Sequence, residues 1–156
     1  MKSGKRFENN FKKSVPSDIF FYRFKDGSSA WGGNDKVRFQ SSNICDCELF
    51  DGNRLYLLEL KSIKGKSIPF GNIRENQLKE LSEAQKFKNI IAGIVIEFNE
   101  LERAFFIDIT KVIDFINTSD RKSIPLDYLE IEGIEIEVTK KKVNCNFNIR
   151  KLLNEI

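Results

Sequence analysis

The chain has 156 residues, 40% of them apolar and 14 of them Phe, which is enough for one domain to bury a core of its own. A net charge of +3 and a pI near 8.7 permit contact with nucleic acid without demanding it. Histidine is absent, which excludes a Ser-His-Asp or Cys-His triad, an HExxH zinc site and a histidine general base.

Residues Ser3 to Ser14 are predicted to form a helix with Ser3 as its N-cap. Phe7, Phe11 and Val15 mark its buried stripe at i, i+4 spacing. Glu8 leans toward the same face, either to meet a partner there or to reach water at the border. Pro16 ends the helix, and Ile19–Phe24 reads as an aromatic-rich strand. Lys25–Ser42 is the longest stretch without a clear period, and its Gly and Ser content suggests a short projecting loop at about 25–42. Trp31 sits within it, near Lys36 and Arg38. It either stacks on a base or folds back onto the core edge.

Ile44–Ser62, ICDCELFDGNRLYLLELKS, organises the rest. Two apolar-polar alternating runs flank a Gly-Asn pair, which predicts a β-hairpin with a two-residue loop. Counting back from Gly52-Asn53 pairs Phe50 with Leu55, Cys47 with Leu58 and Asp46 with Glu59. A loop at Asp51-Gly52 would leave Asp46 diagonal to Glu59 on the same face, and a three-residue loop would break the arrangement. Opposed residues share a face, with Cβ atoms roughly 4.5–5.5 Å apart, and Lys61 points the same way. Two facing carboxylates repel, and a divalent cation held by their oxygens would offset the repulsion. Lys61 beside them could meet a phosphate or orient a water. The competing reading is a polar strand face that carries these three residues by chance.

Ile63–Gly71 is predicted to be a loop carrying Lys64 and Lys66. Asn72 then looks like an N-cap, with Glu75 in capping-box position and a helix running to about Lys86. Ile73, Gln77, Leu81 and Ala84 share one face, so Gln77 points inward, as a core amide or toward a water in the site. Ile90–Phe98 reads as a strand buried on both faces and Ala104–Ile109 as another. Thr110 is expected to cap a short helix from Lys111 to Asn117, and the polar, basic SDRKSIP follows. Alternation from Ile134 to Val138 and from Val143 to Ile149, around a turn at Lys140–Lys142, suggests a C-terminal β-ribbon. The order predicts an α/β fold with a mixed sheet and flanking helices, and no linker divides residues 1–156 into two domains. No Walker loop, GxGxxG, internal repeat or low-complexity tract is evident. No apolar run is long enough to span a bilayer and no hydrophobic leader is present, so a cytoplasmic protein is expected. Cys45, Cys47 and Cys145 fit reduced thiols packed as small core residues.

Taken together, SSNICDCELF, LLELKSIKGKSIPFGNIRENQLKEL, FFIDI and SDRKSIPLDYLEIEGI resemble the RecU Holliday-junction resolvases of the PD-(D/E)XK nuclease superfamily. They span most of residues 40 to 135, in order. The resemblance implies a restriction-endonuclease-like core. It also implies Asp46 and Glu59 as metal ligands, Lys61 as the catalytic lysine, Glu8 as the acid of the first helix and Gln77 as the glutamine after the core motif. It further implies Mg2+ or Mn2+, a homodimer, four-way DNA junctions as substrate and paired nicks as the reaction, with no membrane or nucleotide cofactor involved. Candidate DNA contacts are Lys5, Arg6, Trp31, Lys36, Arg38, Lys64, Lys66 and Arg74. Cys45 stands where the superfamily has Pro, the long basic N-terminal extension is missing, and the segment between Glu8 and Asp46 is shorter than the family's stalk. A nuclease acting on flaps, ends or a specific duplex, and a non-catalytic DNA-binding modulator of recombination, are the alternatives.

Overall fold

The computed structural model describes residues 3–24 and 43–156. The elements are α1 (Ser3–Ser14), β1 (Phe20–Arg23), β2 (Cys47–Phe50), β3 (Leu55–Ile63), β4 (Ser67–Pro69), α2 (Glu75–Gln85), β5 (Ile90–Phe98) and β6 (Arg103–Asp108). There follow α3 (Ile109–Thr118), β7 (Ser123–Pro125), α4 (Leu126–Glu132), β8 (Ile134–Ile136), β9 (Val138–Lys141), β10 (Asn144–Phe147) and α5 (Ile149–Glu155).

The central hairpin takes its register from one turn. Gly52 has φ +95°, the conformation that the first position of a type II′ turn requires. Asp51 N–H donates to Arg54 O across the turn at 3.3 Å. The Asp51 carboxylate also accepts from Asn53 N–H (2.9 Å), Arg54 N–H (2.7 Å) and the Tyr56 hydroxyl (2.8 Å). With the turn closed this way, Phe50 pairs with Leu55 and Cys47 with Leu58, as the count from Gly52-Asn53 predicts.

Burial works against ionisation of Asp51, but the amides, the Tyr56 hydroxyl and the Arg54 charge outweigh it and bring its pKa down to about 2. Asp51→Ala should therefore cost about 1–3 kcal/mol at pH 7, toward the lower end because the side chain keeps some solvent contact. A depressed folded pKa gives stability that is complete above the unfolded value near 3.9 and lost as pH falls toward 2. Urea unfolding should show wild type and variant converging over that window. A gap unchanged from pH 7 to pH 2 would remove the carboxylate's charge from the account.

Alternation along β3 builds two cores. Tyr56, Leu58 and Leu60 face α1 and α5, while Leu57 and Ile63 face the opposite core under α2 and α3. Phe7 and Phe11 of α1 lie on Phe147, with ring centroids 5.4 and 6.2 Å apart. β5 is buried on both faces, Val95 in one core and Ile94 and Ile96 in the other. The main sheet has six strands in the order β1-β2-β3-β5-β6-β8, with β3 and β5 parallel and the other pairs antiparallel. Among the described residues no helix is long and apolar enough to cross a membrane.

Several local expectations are corrected. Asn72 is not the N-cap of α2: Phe70–Asn72 closes a 3-10 turn, and the helix starts at Glu75 with Arg74 at the cap position. Ile73 (φ −113°, ψ 118°) and Arg74 (φ −75°, ψ 132°) are both extended, so the first two positions of a helix capped at Asn72 are not helical. Thr110 does not cap α3; Asp108 does, accepting from the Thr110 amide at 2.8 Å. The two stretches read as loops, Ile63–Gly71 and SDRKSIP, contain β4 and β7, which pair with each other. At the C-terminus the alternating run divides. β8 joins the main sheet beside β6, β9 and β10 alone form the ribbon, and Ile149 opens α5 behind an Asn148 cap.

Candidate active site

The site lies where β2 ends beside β3. The ladder ends with Cys47 opposite Leu58; Cys45 packs in the core with Leu57 and Ile63, not on the Leu60 face that a continued register would give it. Asp46 falls just outside β2, and its backbone carbonyl accepts from Phe24 N–H at 3.0 Å. Its Oδ2 accepts the Leu60 N–H at 2.8 Å, so the carboxylate takes a donor that lies beyond the end of the β2 strand. Asp46 is thereby tied to the strand that carries Glu59.

Glu59 is only 3% exposed. Its Oε1 meets Lys61 Nζ at 2.7 Å and its Oε2 accepts from Gln77 Nε2 at 2.9 Å. Burial, then the neighbouring Asp46 charge, pushes the Glu59 pKa up, while Lys61 and Gln77 pull it back. Gln77 arrives from the buried face of α2, and its Oε1 is buried with no hydrogen-bond partner among the described residues. A buried amide oxygen left open beside two carboxylates asks for a donor such as a water.

Among the described residues, no three His, Cys, Asp or Glu side chains converge as a ready-made metal cage. The donor set still fits a hard cation that keeps several of its waters. Mg2+ is ordinarily held by one or two carboxylates and water, and the open Gln77 oxygen can accept a hydrogen bond from one such water. Cys45 does not belong to the ligand set. Burial first, then the Glu59 and Asp46 charges, push its thiol up to about 12, and its Sγ donates to Cys47 O at 3.3 Å.

Glu8 on α1 is half-buried and ion-paired with Arg23. Arg23 sits opposite Cys47 in the β1–β2 ladder, which brings this pair beside Asp46. Arg23 is absent from the sequence-based candidates; a lone cation in an aromatic strand was its only signal. Sequence reasoning also misses Glu97, buried on β5. It accepts from Ser62 Oγ at 2.7 Å, and Asn99 Nδ2 donates to the same hydroxyl at 3.3 Å, bracing β3 immediately after Lys61.

Lys5 and Arg6 are exposed on α1. Arg6 lines a cavity of about 240 Å3 with Glu97, Asn99, Lys140, Cys145 and Phe147, on the sheet face opposite Gln77. Lys64 and Lys66 are exposed just beyond β3, and Arg74 is exposed at the start of α2. Trp31, Lys36 and Arg38 lie outside the described residues.

Residues 11–149 match the family described as recombination protein U, a range that begins just after Glu8. The chain is 35% identical over 169 aligned positions to the SPbeta prophage-derived uncharacterized protein YotM of Bacillus subtilis strain 168, an alignment covering 98% of this chain and 86% of that protein. Its fold is similar to that of Hjc, a Holliday junction resolvase from Archaeoglobus fulgidus. The TM-score is 0.56 at 14% identity, over 85% of this chain and 95% of Hjc. The fold is restriction-endonuclease-like.

Proposed function

The chain belongs to the recombination protein U family, and from that premise we propose that it is a metal-dependent endodeoxyribonuclease that resolves four-way DNA junctions by paired nicks. The observation that carries this reading is the cluster of Asp46, Glu59, Lys61 and Gln77 around the middle of β3. Asp46 and Glu59 would hold Mg2+ or Mn2+, which when bound supplies positive charge for the phosphate and lowers the pKa of a coordinated water.

The chain's own residues do the rest. The Leu60 amide orients Asp46, and Gln77 Nε2 orients Glu59, so neither carboxylate has to be ordered when substrate arrives. Gln77 Oε1 accepts from a water in the site. Lys61 Nζ, now on Glu59 Oε1, neutralises the buried acid before substrate binds. With DNA present, the same ammonium positions the attacking water or balances charge on the phosphate. Glu8 supports the site from α1, in contact with Arg23. Two such subunits related by a two-fold axis would place one site on each of the strands to be nicked.

The test is a cleavage assay on a four-way junction, a flap, a linear duplex and a single strand, each with Mg2+, with Mn2+ and with EDTA. Symmetric nicks in the junction that disappear in EDTA are expected. Cleavage undiminished by EDTA would end the metal-dependent reading. Preferential cutting of a flap or linear duplex would reassign the substrate while keeping the nuclease. No cleavage of any substrate would favour a DNA-binding role.

A further inference from the structure

One tetrapeptide occurs twice in this chain, as Lys66-Ser67-Ile68-Pro69 and Lys122-Ser123-Ile124-Pro125. This corrects the expectation that the chain holds no internal repeat. The fold brings the two copies together as β4 and β7, antiparallel and in matching register: Ser67 opposite Pro125, Ile68 opposite Ile124, Pro69 opposite Ser123. The hydrogen bonds that close the two ends match as well. Phe70 N–H donates to Lys122 O at 3.0 Å, and Leu126 N–H donates to Lys66 O at 2.9 Å. The ribbon thus has a local two-fold axis between Ile68 and Ile124, both wholly buried and anchoring it to the core under α2.

The same symmetry sets Lys66 and Lys122 at diagonally opposite corners. Both are exposed, and neither has an ion-pair partner among the described residues. With about 3.3 Å of rise per residue and about 4.8 Å between strands, their Cα atoms stand roughly 14 Å apart. Burying two isoleucines accounts for the middle of the repeat but gives no reason for an unpaired cation at each corner. Duplex DNA has two-fold axes of its own. Its minor groove is about 6 Å wide between the walls, so phosphates on its two lips lie ~12 Å apart, within reach of two flexible lysines on this spacing.

We propose that the β4–β7 ribbon is a two-fold phosphate clamp that straddles the minor groove of a DNA arm, with Lys66 on a phosphate of one strand and Lys122 on a phosphate of the other. The proposal rests on the reading of the chain as a DNA enzyme and adds to it a docking site and a new contact, Lys122. The ribbon lies on the sheet face that carries Gln77, and only the segment Ser62–Gly65 separates Lys61 from Lys66. An arm seated there passes close to the candidate site. Ser67, Pro69, Ser123 and Pro125 alternate with the buried isoleucines, so their short side chains face away from the core and leave room for the sugar edges. Lys66 and Lys122, one residue outside the paired strands, reach out from the ribbon's two ends.

The experiment measures binding to a linear duplex and a four-way junction in EDTA across a range of salt concentrations, for wild type, Lys66→Ala, Lys122→Ala and the double variant. Lys88→Ala, exposed at the other end of the sheet, is the control. Each lost phosphate contact should lower the slope of log affinity against log salt by about 0.9, and the double variant should lower it by about 1.8, with Lys88→Ala unchanged. Methylphosphonate substitution at single sites should then separate the strands: one uncharged position cancels the effect of Lys66→Ala, and a position on the opposite strand cancels that of Lys122→Ala. If wild type binds but Lys66→Ala and Lys122→Ala both keep its slope, the clamp is wrong and the nuclease reading stands. If both lysines map to one strand, the straddling geometry is wrong. If wild type binds no DNA at all, the clamp falls together with the reading beneath it.

Discussion

Asp46→Asn and Glu59→Gln should each reduce cleavage by about 10²–10³-fold or more, while DNA binding in EDTA is retained or tightens. The amide replacements keep size and shape. An asparagine at position 46 would still offer an oxygen to the Leu60 N–H, and a glutamine at position 59 would still accept from Gln77. What each removes is one negative charge at the place where a cation would bind and a phosphate would approach. Because burial and the Asp46 charge both push the Glu59 pKa up, either change relieves a repulsion in metal-free protein, opposed for Glu59→Gln by the lost pairing with Lys61. Melting temperatures should therefore move little, which separates loss of chemistry from loss of fold. Near wild-type cleavage by either variant would exclude that residue from an essential role.

Gly93→Ala should destabilise the protein by about 3 kcal/mol or more, the largest stability effect expected here from adding a single methyl group. A Cβ at residue 93 would lie 2.5 Å from Ile107 O and 2.8 Å from Phe106 Cζ. The ring could rotate, but the carbonyl belongs to β6, paired across from residue 93, where Gly93 faces Asp108. Relief would require the two strands to move apart, and β5 is buried on both faces. Gly71→Ala is the control, since a Cβ there meets nothing within 4 Å. Urea unfolding that gave the two variants similar midpoints would show that β5 and β6 do not approach this closely.

Much of the frame follows from local rules. A Gly-Asn turn between alternating runs dictates the hairpin register, because slipping by one residue would turn every side chain to the other face. The inward direction of Gln77 follows from the 3.6-residue period, and the continuous apolar run from Ile90 makes a two-sided strand. The aromatic stripe of α1 is legible for the same reason, and so is the nearness of Asp46 to Glu59, since each depends on residues near in sequence or joined by one tight turn. The ladder nevertheless stops at Cys47, and the two acids are not paired across it.

What local rules could not supply were features decided between distant segments. Gly93 looks like any residue of its run until β6 lies against it. Asp108 looks like the end of a strand and Thr110 like a cap, until the fold makes the aspartate accept the helix amide. Asn72 has the right residues around it for a capping box, but Ile73, buried in the core, and Arg74 are extended, so the helix starts only at Glu75. Glu97 reads as the polar end of an apolar strand; only the parallel pairing of β3 with β5 sets it beside Ser62. The two KSIP copies are visible in the sequence as a repeated word, yet their relation is not. That they meet as an antiparallel pair, with isoleucines inward and lysines at opposite corners, depends on chain closure from Lys66 to Lys122, which no local periodicity encodes.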